Sequence, residues 1–298
     1  VTETEGAGHR VDAFLTERLP PLSRARIQRL IAGQRVTVDG NIPKASHRLT
    51  AGEKVAIEYE PDRDESPAPE SIPLQIIHHD LDIVVLDKPS GLVVHPGAGR
   101  TALTLVNALL HLYPELAELE PVDRPGIVHR LDKETSGVMV VARSQRALLD
   151  LQMQFKTREV RKIYLGLVWG CIRHAEGSVS WPIGRHSRHR QRISVKTDKP
   201  RSAETRYTLR RAFRDFSYLE IQPVTGRMHQ IRVHMAAAGH PLVGDARYGR
   251  RRGSGPSPRL FLHAASLAFR HPGTGEPVEY RSPLPKELQD VLDRLEGA

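Results

Sequence analysis

The nine residues His129-Arg130-Leu131-Asp132-Lys133-Glu134-Thr135-Ser136-Gly137 concentrate the chemistry of this chain. One carboxylate, Asp132, stands between Arg130 and Lys133. Short hydroxyl residues follow, and Gly137 opens into the apolar run Val138-Met139-Val140-Val141-Ala142. Pro125-Gly126-Ile127-Val128 reads as a turn into a short strand. Asp132 is therefore expected on a loop between strand-like segments, where a scaffold can hold a reactive group without burying it. Cations on both sides suit a nucleophile or general base better than a general acid. On composition alone, the commoner role of such an Asp is a solvated ion-pair partner or turn former.

Two further stretches carry groups that could act with it. Arg161-Lys162-Ile163-Tyr164-Leu165 places one aromatic on a basic strand, where a core tyrosine is the ordinary reading. Val224-Thr225-Gly226-Arg227-Met228-His229-Gln230-Ile231-Arg232-Val233-His234 sets Arg227 at a predicted helix entrance, from which a fixed guanidinium can pair with Asp132. By itself Arg227 is a structural helix-terminal arginine. The glycine-rich segment from Lys88 to Arg100 has no Gly-Lys-Ser/Thr ending, so it is not a nucleotide P-loop. His229 and His234 are five apart, off one helical face, with no Cys or carboxylate cluster to complete a site, and no metal is expected.

The elements that must position these groups divide the chain. Residues 9–57 form a compact basic unit. Asp12 is predicted to cap a helix carrying Phe14, Leu15 and Leu19, and Ser23 a second helix to Ala32 with Ile27, Leu30 and Ile31 on one face. Arg24, Arg26 and Arg29 remain on its outside. Val36-Thr37-Val38 reads as a strand, Asp39-Gly40 as a hairpin turn, and Val55-Ala56-Ile57 as a closing strand. Residues 58–73 are acidic and proline-rich, the composition of a semi-extended linker. From residue 74 to 298 strands and helices alternate irregularly, without repeats or regular βαβ units, which points to one mixed α+β domain. Strands are expected at 82–87, 162–168, 205–209 and 218–222. Helices are expected at 104–113, 144–155, 230–238 and after Pro285.

The 298 residues carry 44 Lys and Arg against 35 Asp and Glu, a net charge of +9, which makes a polyanion the leading partner and nucleic acid the leading candidate. Between 185 and 214 eleven Lys and Arg, Arg188 and Arg190 among them, face only Asp198 and Glu204, as an RNA-backbone contact requires. Arg247 and Arg250–Arg252 form a second basic loop. The single cysteine, Cys171, is expected to be buried or half-buried at a strand end. Its isolation suits a reducing cytosol. No apolar run approaches a membrane span and the first residues lack a signal-peptide core, so a cytoplasmic protein is expected. No heptad pattern is visible, which favours a monomer.

HRLDKETSG resembles the signature of the RluA-type pseudouridine synthases, in which this Asp is the catalytic residue. LDKPSGLVVHPG resembles the same family's first motif, a structural floor to the cleft. Lys162-Ile163-Tyr164 is similar to its K-x-Y motif, whose tyrosine packs on the target base and has been considered as the group that removes the C5 proton. TGRMHQIRVH is similar to its third motif, with Met228 where threonine is usual. The resemblance implies roles for Arg227 beside Asp132, for Ile231 near the base, and for Arg130 filling the space of a flipped-out nucleotide. Residues 9–57 resemble an S4 RNA-binding domain, which implies that Arg24, Arg26 and Arg29 face phosphates.

The whole then implies a mainly antiparallel catalytic sheet with a small S4 unit, isomerising uridine in structured RNA without a cofactor. His95 and its neighbours look most like the RluD-type branch acting on large-subunit ribosomal RNA, with transfer RNA as the alternative. A non-catalytic S4 RNA-binding protein explains the charge equally well but needs no Asp132, Tyr164 and Arg227 together. A glycoside hydrolase lacks its second carboxylate.

Overall fold

The computed structural model describes residues 8–19, 22, 24–59, 67–96, 102–119, 121, 123–187, 192–249 and 255–297. The chain falls into two units, one up to Glu65 and one from Ser66.

In the first unit, helices α1 (Val11–Arg18) and α2 (Arg24–Ala32) pack with strands β1 (Val36–Val38) and β2 (Val55–Ile57) around Val11, Phe14, Leu15, Ile27, Ile31, Val36 and Leu49. Asp39 and Gly40 both adopt positive φ, 49° and 80°, and close the expected tight turn. The turn only bridges Val38 to Asn41, and the ladder partner of β1 is the more distant β2.

Asp12 does not cap α1. It lies inside the first turn, fully buried, and accepts from Arg10, Gln28 and Arg24 at 2.7–3.2 Å. Burial works against its charge, but those hydrogen bonds hold its pKa down at about 2. Arg24 is thus engaged with Asp12 rather than free for phosphate, while Arg29 is exposed. Ser23 and the side chain of Arg26 lie outside the described residues.

The stretch expected as linker is anchored at both ends. The N–H of Glu58 donates to Arg35 O. Asn107 Nδ2 donates to Ala68 O at 2.7 Å, and Glu70 N–H to Asn107 O at 2.9 Å.

The second unit is built on a nine-stranded sheet. Its strands are β3 (Gln75–His79), β4 (Ile83–Lys88), β5 (Ser136–Ala142), β6 (Arg161–Trp169), β7 (Glu176–Val179), β10 (Thr205–Ala212), β11 (Phe216–Pro223), β12 (Leu262–Arg270) and β13 (Pro277–Arg281). A separate pair joins β8 (Gly184–Arg185) to β9 (Ile193–Ser194). The order is β3-β4-β5-β12-β6-β11-β10-β7, with β13 also on β12. Every pairing is antiparallel except β12 with β5, which holds only His263 to Ser136 and Ala264 to Gly137.

α3 (Leu105–Leu112), opened by a Thr104–Asn107 capping box, and α4 (Gln145–Thr157), capped by Ser144, pack with β4 and β5 in the main core. α5 (Gln230–Ala237) lies against β10 and β11, and α6 (Lys286–Glu296) buries Leu288, Val291 and Leu292. Cys171, expected to be buried or half-buried, is exposed. It sits just past the end of β6, where its thiol reaches the carbonyls of Phe213 and Arg214.

Gly137 decides how closely β5 and β12 approach. Its φ is 120°, and a Cβ there would sit on the Ala264 backbone. Gly137→Ala is expected to lower stability by at least ~2 kcal/mol. Urea unfolding measures it, and a midpoint within error of wild type would contradict this packing.

Candidate active site

Asp132 sits on the loop that enters β5, and a second loop clamps it from behind. Lys88, at the end of β4 and fully buried, gives its ammonium to the carbonyls of Pro89, Leu92 and Lys133 at 2.7, 2.8 and 3.2 Å. Burial brings its pKa down to about 8, against the opposing pull of Glu134 and Asp132. Ser90 Oγ donates to Glu134 O, Gly91 N–H to Lys133 O, and Thr135 N–H closes the turn on Asp132 O. The loop is thereby fixed through its backbone, leaving the Asp132 carboxylate to face a cavity of about 500 Å³, a size suited to a small ligand or a single base.

Arg232 holds that carboxylate. One turn into α5, it gives Nε and Nη2 to the two oxygens of Asp245 at 2.8 and 2.9 Å, and its remaining Nη1 to Asp132 Oδ2 at 3.1 Å. Its guanidinium also lies 5.3 Å from the Tyr248 ring centre. Asp245 is buried, which disfavours its charge. The Arg232 fork and the N–H groups of Tyr248 and Arg247 more than offset this and hold its pKa below the usual carboxylate range. The bidentate grip on Asp245 leaves Arg232 one orientation, aimed at Asp132.

Arg227, expected to make that pair, does not. It precedes α5, its Nε donates to Ser202 O at 3.3 Å, and it lines the cavity without touching Asp132. The turn before the helix is set by Gln230, whose Oε1 accepts from Thr225 Oγ1 and from Arg227 N–H. Its Nε2 donates to Glu204 O and Thr205 Oγ1. That turn carries Arg227 toward β10 and brings Arg232 to the loop. His229, which precedes α5, and His234, within it, serve different ends. His234 is buried between Thr205 Oγ1 and Trp181 O, whereas His229 faces Asp132 with Nε2 at 3.8 Å from Oδ1.

Tyr164, in mid-sheet on β6 opposite Ile221 and Ala264, lines the same cavity with Ile231, Leu262 and Leu131. Burial, and then the nearby Asp132, pushes its phenol pKa up, so it stays protonated. Thr135 Oγ1, three residues from Asp132, is buried and has no hydrogen-bond partner among the described residues. Met228 is exposed at the rim. Lys156, Arg158 and Lys162 make one cationic wall, and burial followed by the charge of Arg158 brings the Lys162 pKa down. Arg130 is exposed at the rim and donates to His95 Nε2 at 3.3 Å, while His95 Nδ1–H donates to Pro96 O.

His129 is a structural member of the motif. Its Nε2 accepts the Val140 N–H at 3.1 Å and its ring stacks on Phe155, with centroids 4.6 Å apart. Burial, then Lys162, lowers its pKa from the ordinary 6.5 to about 3. Between those values the unfolded chain binds a proton that the native state refuses, so stability falls as pH drops through this window. His129→Phe is expected to flatten the slope of stability against pH between about 6.5 and 3 relative to wild type. Urea midpoints measured across that range check it, and unchanged slopes would contradict the assignment.

Three comparisons bear on what this arrangement is. Residues 82–237 match the model of RNA pseudouridylate synthases, and residues 9–55 match the S4 domain. A Xanthomonas campestris protein named ribosomal large subunit pseudouridine synthase D is 42% identical over 99% of this chain and 91% of its own length. An uncharacterized RNA pseudouridine synthase of Chloroflexus aurantiacus is 47% identical over 96% of this chain and 90% of its own. The chain belongs to the RNA pseudouridylate synthase family. The solved structure of human RNA pseudouridylate synthase domain containing 1 superposes with a TM-score of 0.59 at 27% identity, covering 80% of this chain and 98% of that one.

As a member of this RNA isomerase family, the chain has its basic residues in two settings. Arg206, Arg210 and Arg211, counted in the basic run, sit on β10 and pair with Glu204, Glu220 and Glu296. Lys196, Lys199, Arg201 and Arg214 are exposed, and Arg188 and Arg190 lie outside the described residues.

Away from the cavity, His78 and His271 both reach Asp80 Oδ2, at 2.7 and 2.9 Å. His271 Nδ1 accepts the N–H groups of Gly273 and Thr274, so its proton is on Nε2. A metal at Nε2 would have to displace that proton, and the cluster is read as a hydrogen-bonded tie between two turns. Among the described residues no helix is long and apolar enough to cross a membrane.

Proposed function

We propose that this pseudouridine synthase isomerises uridines of large-subunit ribosomal RNA, with Asp132 as its catalytic carboxylate. The observation that carries the site assignment is the Asp132 carboxylate held by Arg232 at the mouth of a cavity with Tyr164 and Ile231 in its wall. The substrate reading is supported by relatives from Xanthomonas campestris, Yersinia pestis and Salmonella typhimurium, each named ribosomal large subunit pseudouridine synthase D and 41–42% identical to this chain.

The target uridine leaves its stack and enters the cavity, and Arg130 takes the vacated place in the RNA. Asp132 then acts at the sugar, either by attack on C1′ or by removal of the C2′ proton. The C1′–N1 bond breaks, the base turns over against Tyr164 and Ile231, and C5 bonds to C1′. The basic wall of Lys156, Arg158 and Lys162 faces the phosphates flanking the flipped nucleotide. Residues 9–57 add a sequence-independent hold on the RNA through exposed Arg29. The enzyme works in the cytoplasm as a monomer and needs no cofactor, since an isomerisation has no net redox change.

The test is tritium release from C5-labelled uridine in large-subunit ribosomal RNA fragments and in transfer RNA. Release from ribosomal RNA at a rate at least ~10-fold above transfer RNA is expected. The reverse preference would overturn the ribosomal reading and leave a transfer-RNA enzyme.

A further inference from the structure

The β8–β9 segment carries charge that the cavity does not use. From Trp181 to Ala203 the chain has seven Lys and Arg against one acid, Asp198. Arg185, Lys196, Lys199 and Arg201 are exposed, and none of them makes an ion pair among the described residues. The arginines of β10, by contrast, pair with Glu204, Glu220 and Glu296. Cations left unpaired on one surface are arranged for a polyanion.

Trp181 stands at the entry to this segment with 47% of its surface open to solvent. A lone exposed apolar residue is ordinary, but this one is held in place by its backbone. Its carbonyl accepts from Nε2 of the fully buried His234 at 2.8 Å. Pro182 follows, and Ile183 exchanges backbone hydrogen bonds with Arg201 at 3.0 and 2.9 Å. Ile183 then packs with Ile193, Ala203 and Val233 of α5 in a small core of its own. The tryptophan is therefore presented from a fixed frame, with little backbone left to order on binding.

That frame is continuous with the cavity. His234 Nδ1 accepts from Thr205 Oγ1, which accepts from Gln230 Nε2, and Gln230 lines the cavity. Ser202, next to Arg201, accepts the Arg227 Nε–H at its carbonyl, and Arg227 lines the cavity too.

We propose that Trp181 is a stacking platform for an unpaired base of the RNA substrate, a second nucleotide besides the one that enters the cavity. Arg185, Lys196, Lys199 and Arg201 hold the phosphates around it. The inference rests on RNA being the ligand of the neighbouring cavity. An indole among unpaired cations suits single-stranded RNA, because every base offers a π-face and every nucleotide a phosphate. Bases stacked in a helix keep their faces covered, so this surface selects RNA with an unpaired nucleotide near the target uridine.

The experiment titrates single-stranded oligouridine and a large-subunit ribosomal RNA fragment into wild type, Trp181→Ala and Trp181→Phe, following tryptophan emission. The other tryptophan, Trp169, is half-buried against Phe216 and supplies the background emission seen in both variants. Wild-type emission is expected to quench as the indole stacks on a base, and that of the variants to stay unchanged. Trp181→Ala is expected to weaken binding of both RNAs at least ~5-fold. Its salt dependence is expected to match wild type, because no phosphate contact is lost. Trp181→Phe is expected to restore most of the affinity, and both variants to unfold at the wild-type temperature. Wild-type emission unmoved by bound RNA, or Trp181→Ala binding as tightly as wild type, would overturn the stack and leave the isomerase reading standing. Quenched complexes in which wild type forms no pseudouridine would sink that reading and leave the stack in place.

Discussion

Asp132→Asn is expected to reduce tritium release from uridine-labelled RNA by at least ~10³-fold, with RNA affinity within a few-fold of wild type. The substitution keeps size and shape. The amide oxygen can still accept from Arg232 Nη1, now 3.1 Å from the carboxylate, and the Lys88 clamp on the loop is untouched because it grips only backbone carbonyls. What disappears is the charge that acts at the sugar. Loss on kcat with little change in apparent RNA affinity is the signature of an interaction made in the transition state. Release at more than a tenth of the wild-type rate would remove Asp132 from the chemistry.

Arg232 and Arg227 are expected to behave differently although they lie five residues apart. Arg232→Lys keeps one positive charge but not the planar fork that grips Asp245 and reaches Asp132 together. Its kcat is expected to fall about 10²-fold, with partial loss of stability. Arg232→Leu leaves Asp245 buried and unpaired, and is expected to destabilise the second unit by ~3–5 kcal/mol. Arg227→Gln loses only a partly exposed bond to Ser202 O, so its kcat is expected to stay within about 10-fold of wild type, with any loss in RNA affinity. Steady-state kinetics with thermal unfolding of each variant distinguishes these outcomes. An inert Arg232→Lys beside a crippled Arg227→Gln would restore the pairing that the motif spacing first indicated.

That exchange of arginines marks where sequence reading ran out. The TGRMHQIRVH stretch is legible as a helix entrance with a cation near Asp132. Choosing between its two arginines requires knowing that Gln230 folds the preceding turn onto β10 and that His229 starts the helix from a left-handed position. Nothing in the motif spacing points to Asp245, yet an acidic residue standing alone in an arginine-rich loop is a signal that a buried partner exists. Asp12 shows the same limit. A carboxylate near a helix start reads as a cap, but only the packing of α2 on α1 reveals that it is buried under Arg24 and Gln28. Local patterns did place the buried strand β5, the tight turn at Asp39-Gly40, and the helices capped by Thr104 and Ser144. Each depends on residues within a few positions. β12 carries the long-range pairing that unites β5 with β6. Its mixed pattern of Leu262-His263-Ala264-Ala265-Ser266 offers no clean alternation to announce it.

The most direct test of the central claim is to count tritium released from C5-labelled ribosomal RNA against pseudouridine found by nucleoside analysis of the same samples. Wild type is expected to give one pseudouridine for each tritium released, and Asp132→Asn neither. Release without pseudouridine, or pseudouridine formed at the wild-type rate by Asp132→Asn, would contradict an Asp132-dependent isomerisation in this cavity.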